Sequence, residues 1–248
     1  MSQIWGVIEG IQIVSYLQLF NAKIPANVQT FLGFFDEITS FEVLPAEEWT
    51  DEMLYAPESV PPSINFQQAG HDSTLVVKNL GSTFYIWIGI MCLFGFYFLV
   101  LWPLRSLCPK VEKKTAKLRN LLFWGGTSRF FIESYMQITL YTLLNLKEFE
   151  WDTDFPLITL SDVFAIVSLA AIVTLPIVLV IFLACNMDKW DDKEFAARNG
   201  ALLDGADLDR ESSQWIVLLI PMSYFLRRML MCLTLVFWID FIWGQLAI

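Results

Sequence analysis

Two stretches without a single charged side chain constrain this fold more than any other feature of the sequence. They cover residues 81–104 and 163–187. A transmembrane helix needs about 20 mainly apolar residues, and both stretches reach that length. The composition agrees, because 56% of the residues are hydrophobic and 17% are charged, against about 25% charged residues in a soluble domain. We therefore expect an all-α, polytopic membrane helix bundle rather than a soluble enzyme.

Two further apolar segments are interrupted by polar residues. The first, 4–20, contains Glu9 and two glutamines. The other, 121–146, contains Arg129 and Glu133. Charged residues inside a membrane helix usually face the interior of a bundle, a partner or water. We predict that both segments are membrane spans, the first of them a weak one.

The last apolar block of the chain is divided by a pair of arginines, Arg227 and Arg228. One straight span through this block would bring both arginines near the bilayer centre, where an unpaired charge costs about 2.5–3.5 kcal/mol on insertion scales. We therefore expect an interfacial or re-entrant helix over 214–226, broken at Pro221. The fifth span then covers 229–248, with both arginines at the lipid headgroups.

The chain accordingly divides into successive parts, with about five transmembrane helices and an interfacial helix. These are a first membrane helix with a short apolar segment (1–35), an acidic extramembrane segment (36–80), three transmembrane helices (81–187), a cytosolic loop (188–213), and the interfacial helix with the last transmembrane helix (214–248). Lysine and arginine in short loops mark the cytosolic side. The basic loop 105–119 is therefore expected in the cytosol, and the acidic segments on the opposite side.

The acidic segment has prolines and aromatic residues at intervals that argue against a simple tether. We expect it to cap the extracellular ends of the helices, with several apolar side chains packed against them. These are Phe41, Leu44, Trp49 and Phe66. A flexible loop is the alternative.

Side chains that carry catalysis or bind metals are scarce. The chain has 1 histidine, His71, which lies in the acidic segment. A histidine-based catalytic triad or metal site needs partners that a single histidine lacks. We therefore expect no enzymatic activity, no metal and no cofactor, and the net charge of −10 argues against nucleic acid as a partner. His71 and Asp72 form either a pH-sensitive pair or part of a solvated loop.

Three charged residues inside the predicted spans are the candidate functional residues: Arg129, Glu133 and Asp240. The first two share one face of a helix, because residues at this spacing lie one turn apart. We expect them to form an ion pair directed at other helices. Two interpretations stay open: the charged residues line a polar path through the membrane, or they connect neighbouring helices as polar contacts.

Several short motifs resemble one region of a known family. They lie at 4–13, 16–21, 24–27, 40–45, 79–81, 122–124, 129–133, 143–146 and 225–230. They resemble the C-terminal multi-span region of very large ciliate surface proteins, which are themselves similar to the TRP-like and polycystin-like membrane families. The resemblance implies a location in the cell-surface or ciliary membrane, with an organelle membrane as the alternative.

The function expected from this resemblance is that of a non-catalytic integral membrane subunit, similar to a TRP-like ion channel or sensor region. A pore needs more walls than one such bundle provides, so an oligomer is expected. Its partners are then the lipid bilayer and other membrane-protein subunits or further copies of itself. The alternative is a structural or accessory subunit of a larger membrane-protein complex. A membrane-bound acyl- or lipid-transferase is disfavoured by the single histidine.

Overall fold

The computed structural model describes most of the chain, and it describes it as helices. The described residues are 2–20, 22–39, 61–103, 126–149, 154–190 and 214–238, together with positions 44, 46, 49, 50, 192 and 195. The α-helices are α1 (Ser2–Ser15), α2 (Ala26–Thr39), α3 (Ile64–Gln68), α4 (Val76–Leu80), α5 (Ser82–Phe96), α6 (Gly126–Lys147), α7 (Pro156–Cys185) and α8 (Gln214–Phe237), with 3₁₀ turns at Tyr16–Leu19 and Met187–Lys189 and a π-helical turn at Tyr97–Leu101. Because no β-strand occurs within these ranges, the expected all-α class is confirmed for them.

Fewer helices than expected are suited to crossing a membrane. Of the described residues, Ser82–Leu101, Pro156–Cys185 and Leu218–Phe237 are the 3 helical segments that are long and apolar enough, so the prediction of about five spans is wrong for this part of the chain. α1 is too short, because its 14 residues extend about 21 Å against a hydrocarbon core of about 30 Å. α6 is long enough at 22 residues, but it carries too many polar side chains.

α8 differs from the interfacial helix predicted at this place. It runs without interruption through Pro221, so the predicted break is wrong. An interior proline removes one backbone hydrogen bond, but contacts with α6 follow within one turn of it. The Tyr224 hydroxyl donates to the Ile132 carbonyl at 3.3 Å. Tertiary packing of this kind, rather than intrinsic propensity, stabilises most helices in proteins.

The chain forms two compact units. Unit 1 contains Met1–Thr83, Tyr135–Thr174 and Phe225–Ile248, and unit 2 contains Phe84–Ser134 and Leu175–Tyr224. The helices α5 to α8 each contribute one part to each unit. The core of each unit is therefore built from segments that lie far apart in the sequence.

Unit 1 is organised around the C-terminal part of α6. The Tyr135 hydroxyl donates to the carbonyl of Ile172 on α7 at 3.4 Å. The ring of Tyr135 packs edge-on against Phe225 of α8, with 4.8 Å between the ring centroids. Every residue of α6 from 135 to 145 is buried, so the helix is enclosed along this length.

α7 approaches α6 through a stripe of small residues. The buried members of the stripe are Ser161, Ala165 and Ser168. Small side chains allow two membrane helices to approach closely. Hydrogen bonds from Tyr135 to Ile172 and from Asn145 to Asp162 show that the two helices run antiparallel.

Gly81 makes the turn that sets α5 against α6. It has φ 48° and ψ −125°, a backbone conformation that is essentially restricted to glycine. The turn brings Thr83, on the first turn of α5, to α6, where its hydroxyl donates to Gln137 Oε1 at 3.0 Å. The position of α5 in unit 1 therefore depends on a glycine at this turn.

The segment 61–80 packs closely in unit 1. Phe66 is fully buried at 0% exposure, which agrees with its predicted packing. Ser63 caps the N-terminus of α3, because its hydroxyl accepts a hydrogen bond from the Phe66 N–H at 3.3 Å. The Asn65 amide donates to the carbonyl of Phe20, so the segment is also attached to the 3₁₀ turn that follows α1.

The remaining side chains predicted to pack here have different positions. Leu44 and Trp49 are half-buried. The Ser82 hydroxyl accepts from the Leu44 N–H and donates to the Leu44 carbonyl, both at 3.0 Å. Phe41 lies outside the described residues.

Unit 2 contains an aromatic contact between α5 and the start of α6. The ring of Trp87 lies 5.5 Å from the ring of Phe130 and 6.1 Å from that of Phe131. Aromatic pairs at such distances contribute about 0.5–1.5 kcal/mol beyond the area they bury. Elsewhere in the unit, Phe182 of α7 stacks on Phe195 at 6.0 Å.

Candidate functional site in a buried polar seam

A group of polar side chains lies buried between α6 and α7 in unit 1, and we name it the polar seam. It consists of Thr142, Asn145, Ser161 and Asp162. Each of these residues is at most 3% exposed. Burying a polar group costs free energy unless a hydrogen bond compensates for the lost water. The polar seam therefore calls for a structural or functional explanation.

Simple local rules bring these side chains together. α7 begins at Pro156, and proline is favoured at the first helical position because no N–H needs a partner there. Ser161 and Asp162 consequently lie within the first two turns of α7. On α6, Thr142 and Asn145 are one turn apart and share a face.

Asn145 connects the polar seam to the segment that precedes α5. Its Nδ2 donates to Asp162 Oδ1 at 2.7 Å, and its Oδ1 accepts from the Val76 N–H at 2.9 Å. Val76 is the first residue of α4, where a backbone N–H has no partner within its own helix. One amide side chain therefore joins α4, α6 and α7.

Three oxygen atoms of the polar seam remain without a hydrogen-bond partner among the described residues. They are Asp162 Oδ2, Ser161 Oγ and Thr142 Oγ1. An ionised carboxylate taken out of water loses hydration free energy on the order of several kcal/mol, and one hydrogen bond from Asn145 offsets only part of that. This arrangement favours the uptake of a positive charge.

His71 contacts α6 at Tyr141, the residue before Thr142. The Tyr141 hydroxyl lies 3.1 Å from Nε2 and 3.3 Å from Nδ1 of the imidazole. Burial lowers the pKa of His71 to about 4, although the charge of Asp72 acts in the opposite direction. The imidazole is therefore neutral in the folded protein near neutral pH. By solvent exposure His71 is half-buried, so it is attached to α6 through Tyr141 and keeps a part of its surface in contact with solvent.

Two of the predicted site residues lie on α6 in unit 2. Glu133 is 5% exposed, and Arg129, one turn earlier, is half-buried. The ion pair between them stays a prediction. The third residue, Asp240, lies outside the described residues.

The adjacent arginines of α8 have different surroundings. Arg227 is exposed, whereas Arg228 is 1% exposed. Consecutive residues of a helix point about 100° apart, so they need not face the same environment. Arg228 Nη1 donates to Gln12 Oε1 of α1 at 3.3 Å. Arg228 is therefore buried inside unit 1, and the expected place of both arginines at the headgroups stays a prediction.

Sequence reasoning missed Asn145 and Asp162. The predicted fourth span began at residue 163, because the charge of Asp162 was taken as its boundary. Pro156 is a stronger signal, because a proline favours a helix start at its own position, seven residues before residue 163. With the helix extended to Pro156, Asp162 becomes a charged residue inside a membrane helix, which is a functional candidate by default.

Comparison with known proteins matches no family model, no curated protein and no solved structure. The resemblance to the ciliate surface proteins therefore stays a prediction. The role of the polar seam is therefore inferred from its burial, its charge and its oxygen atoms without a hydrogen-bond partner among the described residues.

Proposed function

We propose that this protein is a non-catalytic integral membrane subunit, similar to a TRP-like channel or sensor region, that acts in an oligomer. The observation that supports the proposal is that polar side chains are buried and apolar ones are exposed, the reverse of the usual arrangement in a soluble protein. α6 buries charged and amide side chains, whereas the candidate spans expose apolar ones. A bilayer favours this arrangement, because its hydrocarbon core is as apolar as the exposed side chains.

The apolar exposure is extensive. In the most apolar windows of Ser82–Leu101, Pro156–Cys185 and Leu218–Phe237, only 11%, 17% and 33% of the residues are buried. On α7 the exposed large aliphatic residues are Leu160, Val163, Ile166, Val167, Leu169, Val173, Ile177, Val178 and Ile181. Monomeric soluble proteins rarely expose a contiguous apolar patch beyond about 300–600 Å². Lipid contact is therefore the best explanation for this surface.

Buried ionisable side chains support a channel or sensor role. Glu133, Asp162 and Arg228 are each at most 5% exposed. Ionisable residues within membrane segments are costly to bury and commonly mark ion pathways or proton relays. One bundle has too few walls for a pore, so the proposal includes further copies of the chain or other subunits. The resemblance favours the cell-surface or ciliary membrane as the location.

A structural or accessory subunit of a larger membrane complex is the second candidate. It is favoured by the exposed aromatic residues of α2, where Phe31 and Phe34 are 59% and 58% exposed. Aromatic side chains are enriched where proteins contact each other. In this alternative, buried charges such as Glu133 serve only as polar contacts between helices.

Alkaline extraction of membranes tests the membrane assignment. We expect the full-length chain to remain in the membrane pellet after carbonate treatment, under conditions that release a peripheral control protein. Recovery of the chain in the supernatant would contradict the proposed function.

Ion flux into liposomes separates the two candidates. The channel proposal predicts flux with the wild-type chain, reduced flux with Glu133→Gln, and unchanged flux with Asp154→Asn, a control at an exposed carboxylate. Absence of flux, combined with purification in a fixed complex with other proteins, supports the accessory subunit.

A further inference from the structure

We propose that the polar seam binds one small monovalent cation of the Na⁺ class between α6 and α7. The inference rests on the proposed membrane function, because a carboxylate surrounded by lipid-facing helices has no bulk water to hydrate it. It also deepens that function, since it names a class of ion and the residues that hold it.

The helix register places the three unpartnered oxygens on facing surfaces. Asp162 lies opposite Asn145, because their side chains are hydrogen-bonded at 2.7 Å. Thr142 is one turn from Asn145 on the same face of α6. Ser161 belongs to the stripe of α7 that ends at Ile172, whose carbonyl contacts α6 at 3.4 Å. The register therefore assigns both hydroxyl oxygens and Asp162 Oδ2 to the facing surfaces of α6 and α7.

The donor set fits a hard cation. It contains one carboxylate oxygen and two hydroxyl oxygens, and oxygen ligands of this kind suit alkali and alkaline-earth ions rather than softer metals. In the described ranges, no group of three His, Cys, Asp or Glu side chains is placed to hold a metal ion. The ligand is therefore expected among ions that accept neutral oxygen donors.

Charge balance favours a monovalent ion over a divalent one. The polar seam contributes a single carboxylate, that of Asp162. A monovalent cation neutralises it, whereas a divalent cation would leave a net positive charge buried, which is strongly unfavourable. The lysine of α6, Lys147, is directed to α8, where its Nζ donates to the Val236 carbonyl at 3.2 Å.

A bound cation also satisfies more of the polar seam than a proton does. A proton on Asp162 would neutralise the carboxylate and supply one O–H donor, which can satisfy at most one of the two hydroxyl oxygens, of Thr142 and Ser161. A cation bound at Asp162 Oδ2 can accept lone pairs from more than one oxygen, so it can be shared between the two helices. Buried polar groups are nearly always satisfied in folded proteins, so the cation accounts for more of the observed chemistry.

Cation binding would act on the segment that precedes α5. An ion on Asp162 fixes the carboxylate that orients the Asn145 amide, and the same amide holds the Val76 N–H. We therefore expect the ion to stiffen the attachment of α4 to the helix pair.

Thermal unfolding of the purified full-length chain in detergent tests the proposal, followed by tryptophan fluorescence at constant pH. Sodium chloride is titrated against choline chloride at equal ionic strength, so that general salt effects cancel. A ligand that binds only the folded state stabilises it in proportion to the logarithm of its concentration. We expect sodium to raise Tm by roughly 5–10 °C at a hundredfold excess over Kd, with a smaller shift from potassium.

The variants assign the effect to the polar seam. Asp162→Asn keeps the shape of the side chain and should abolish the sodium-dependent shift. Asp154→Asn makes the same chemical change at an exposed position eight residues earlier, and it should retain the shift. Thr142→Ala and Ser161→Ala should each weaken sodium binding by roughly fivefold, and they keep the test valid if the Asp162 variant does not fold.

Three results would overturn the proposal. One is an equal Tm in sodium and choline, as expected if only water bridges the oxygens. Another is a shift that survives Asp162→Asn, and the third is stabilisation of the wild type by acid alone, lost in that variant, which identifies a proton site. None of these results affects membrane extraction, so the cation site and the proposed function can fail separately.

Discussion

α6 and α7 show opposite relations between hydrophobicity and burial. α7 is the longest candidate span, with 30 residues, yet only 17% of its most apolar window is buried. α6 is more polar, and every residue from 131 to 145 is buried. In a soluble protein the more apolar helix would be the enclosed one, because water drives apolar surface inwards. The proposed membrane location accounts for the difference, because lipid rather than water would then contact the exposed face of α7.

Truncation of one leucine on each helix should produce the largest difference in stability between α6 and α7. Leu140 of α6 is 0% exposed and Leu169 of α7 is 38% exposed. Leu140→Ala should lower the free energy of unfolding by about 2–5 kcal/mol because it leaves a cavity. Leu169→Ala, the matched control, should change it by less than about 1 kcal/mol. Denaturant unfolding in detergent measures both, and similar losses at the two sites would contradict the assigned faces.

A second test removes the amide that joins α4, α6 and α7. Asn145→Ala should lower the free energy of unfolding by about 2–3 kcal/mol, because it leaves Asp162 and the Val76 N–H without a partner. The matched control is Asn186→Ala, at a half-buried asparagine that caps the C-terminal end of α7 through the Phe182 carbonyl, where the loss should stay near 0.5–1 kcal/mol. If the control is as destabilising as Asn145→Ala, the bridging role of Asn145 is wrong.

Two alanines on α7 allow its buried face and its exposed face to be compared within a single helix. Ala165 lies in the small-residue stripe at 0% exposure, and Ala170 lies on the exposed face. Ala165→Leu should destabilise the fold by about 1–3 kcal/mol through overpacking against α6, while Ala170→Leu should have almost no effect. Thermal unfolding of the two variants gives the answer, and equal Tm values would mean that Ala165 does not face α6.

Acid should weaken the end of α6 at which His71 packs on Tyr141. The pKa of His71 is lowered to about 4 in the folded state, chiefly by burial, against about 6.5 in the unfolded chain. The unfolded state therefore binds the proton first, and stability falls as the pH drops from 6.5 towards 4, by about 2 kcal/mol at pH 5.

The contribution of His71 can be isolated because the chain has 1 histidine. His71→Gln should remove this fall in stability between pH 6.5 and 5, a range in which most carboxylates stay ionised. The measurement is the free energy of unfolding as a function of pH for the two proteins. An unchanged pH dependence in the variant would show that His71 is not buried against Tyr141.

Much of the fold could be predicted from hydrophobic run length alone. The uncharged stretches 81–104 and 163–187 correspond closely to Ser82–Leu101 and to the main part of Pro156–Cys185. Run length depends on few contacts, because a helix in lipid satisfies its own backbone hydrogen bonds. The length of an apolar run does not show which helix is enclosed by the others. The burial of α6 was therefore not predictable from run length.

The candidate site was harder to predict because it depends on contacts between distant segments. Asn145 and Asp162 can form their hydrogen bond only when α6 and α7 pack antiparallel. The Val76 N–H, from a third segment, then donates to Asn145. The burial of Arg228 was not predictable for the same reason, because its partner Gln12 lies 216 residues away in the sequence. A charge inside an apolar run signals a functional candidate, but the sequence does not name the side chain that compensates for it.

Photolabelling from the lipid phase measures which faces of α6 and α7 contact lipid. The full-length chain would be reconstituted with a phospholipid that carries a diazirine in its acyl chain, irradiated and mapped by peptide mass spectrometry. We expect strong labelling of the exposed face of α7, including Val167, which is 57% exposed, and none above background on α6 at Met136, which is 0% exposed. Labelling of residues 131–145 as strong as that of α7 would contradict it.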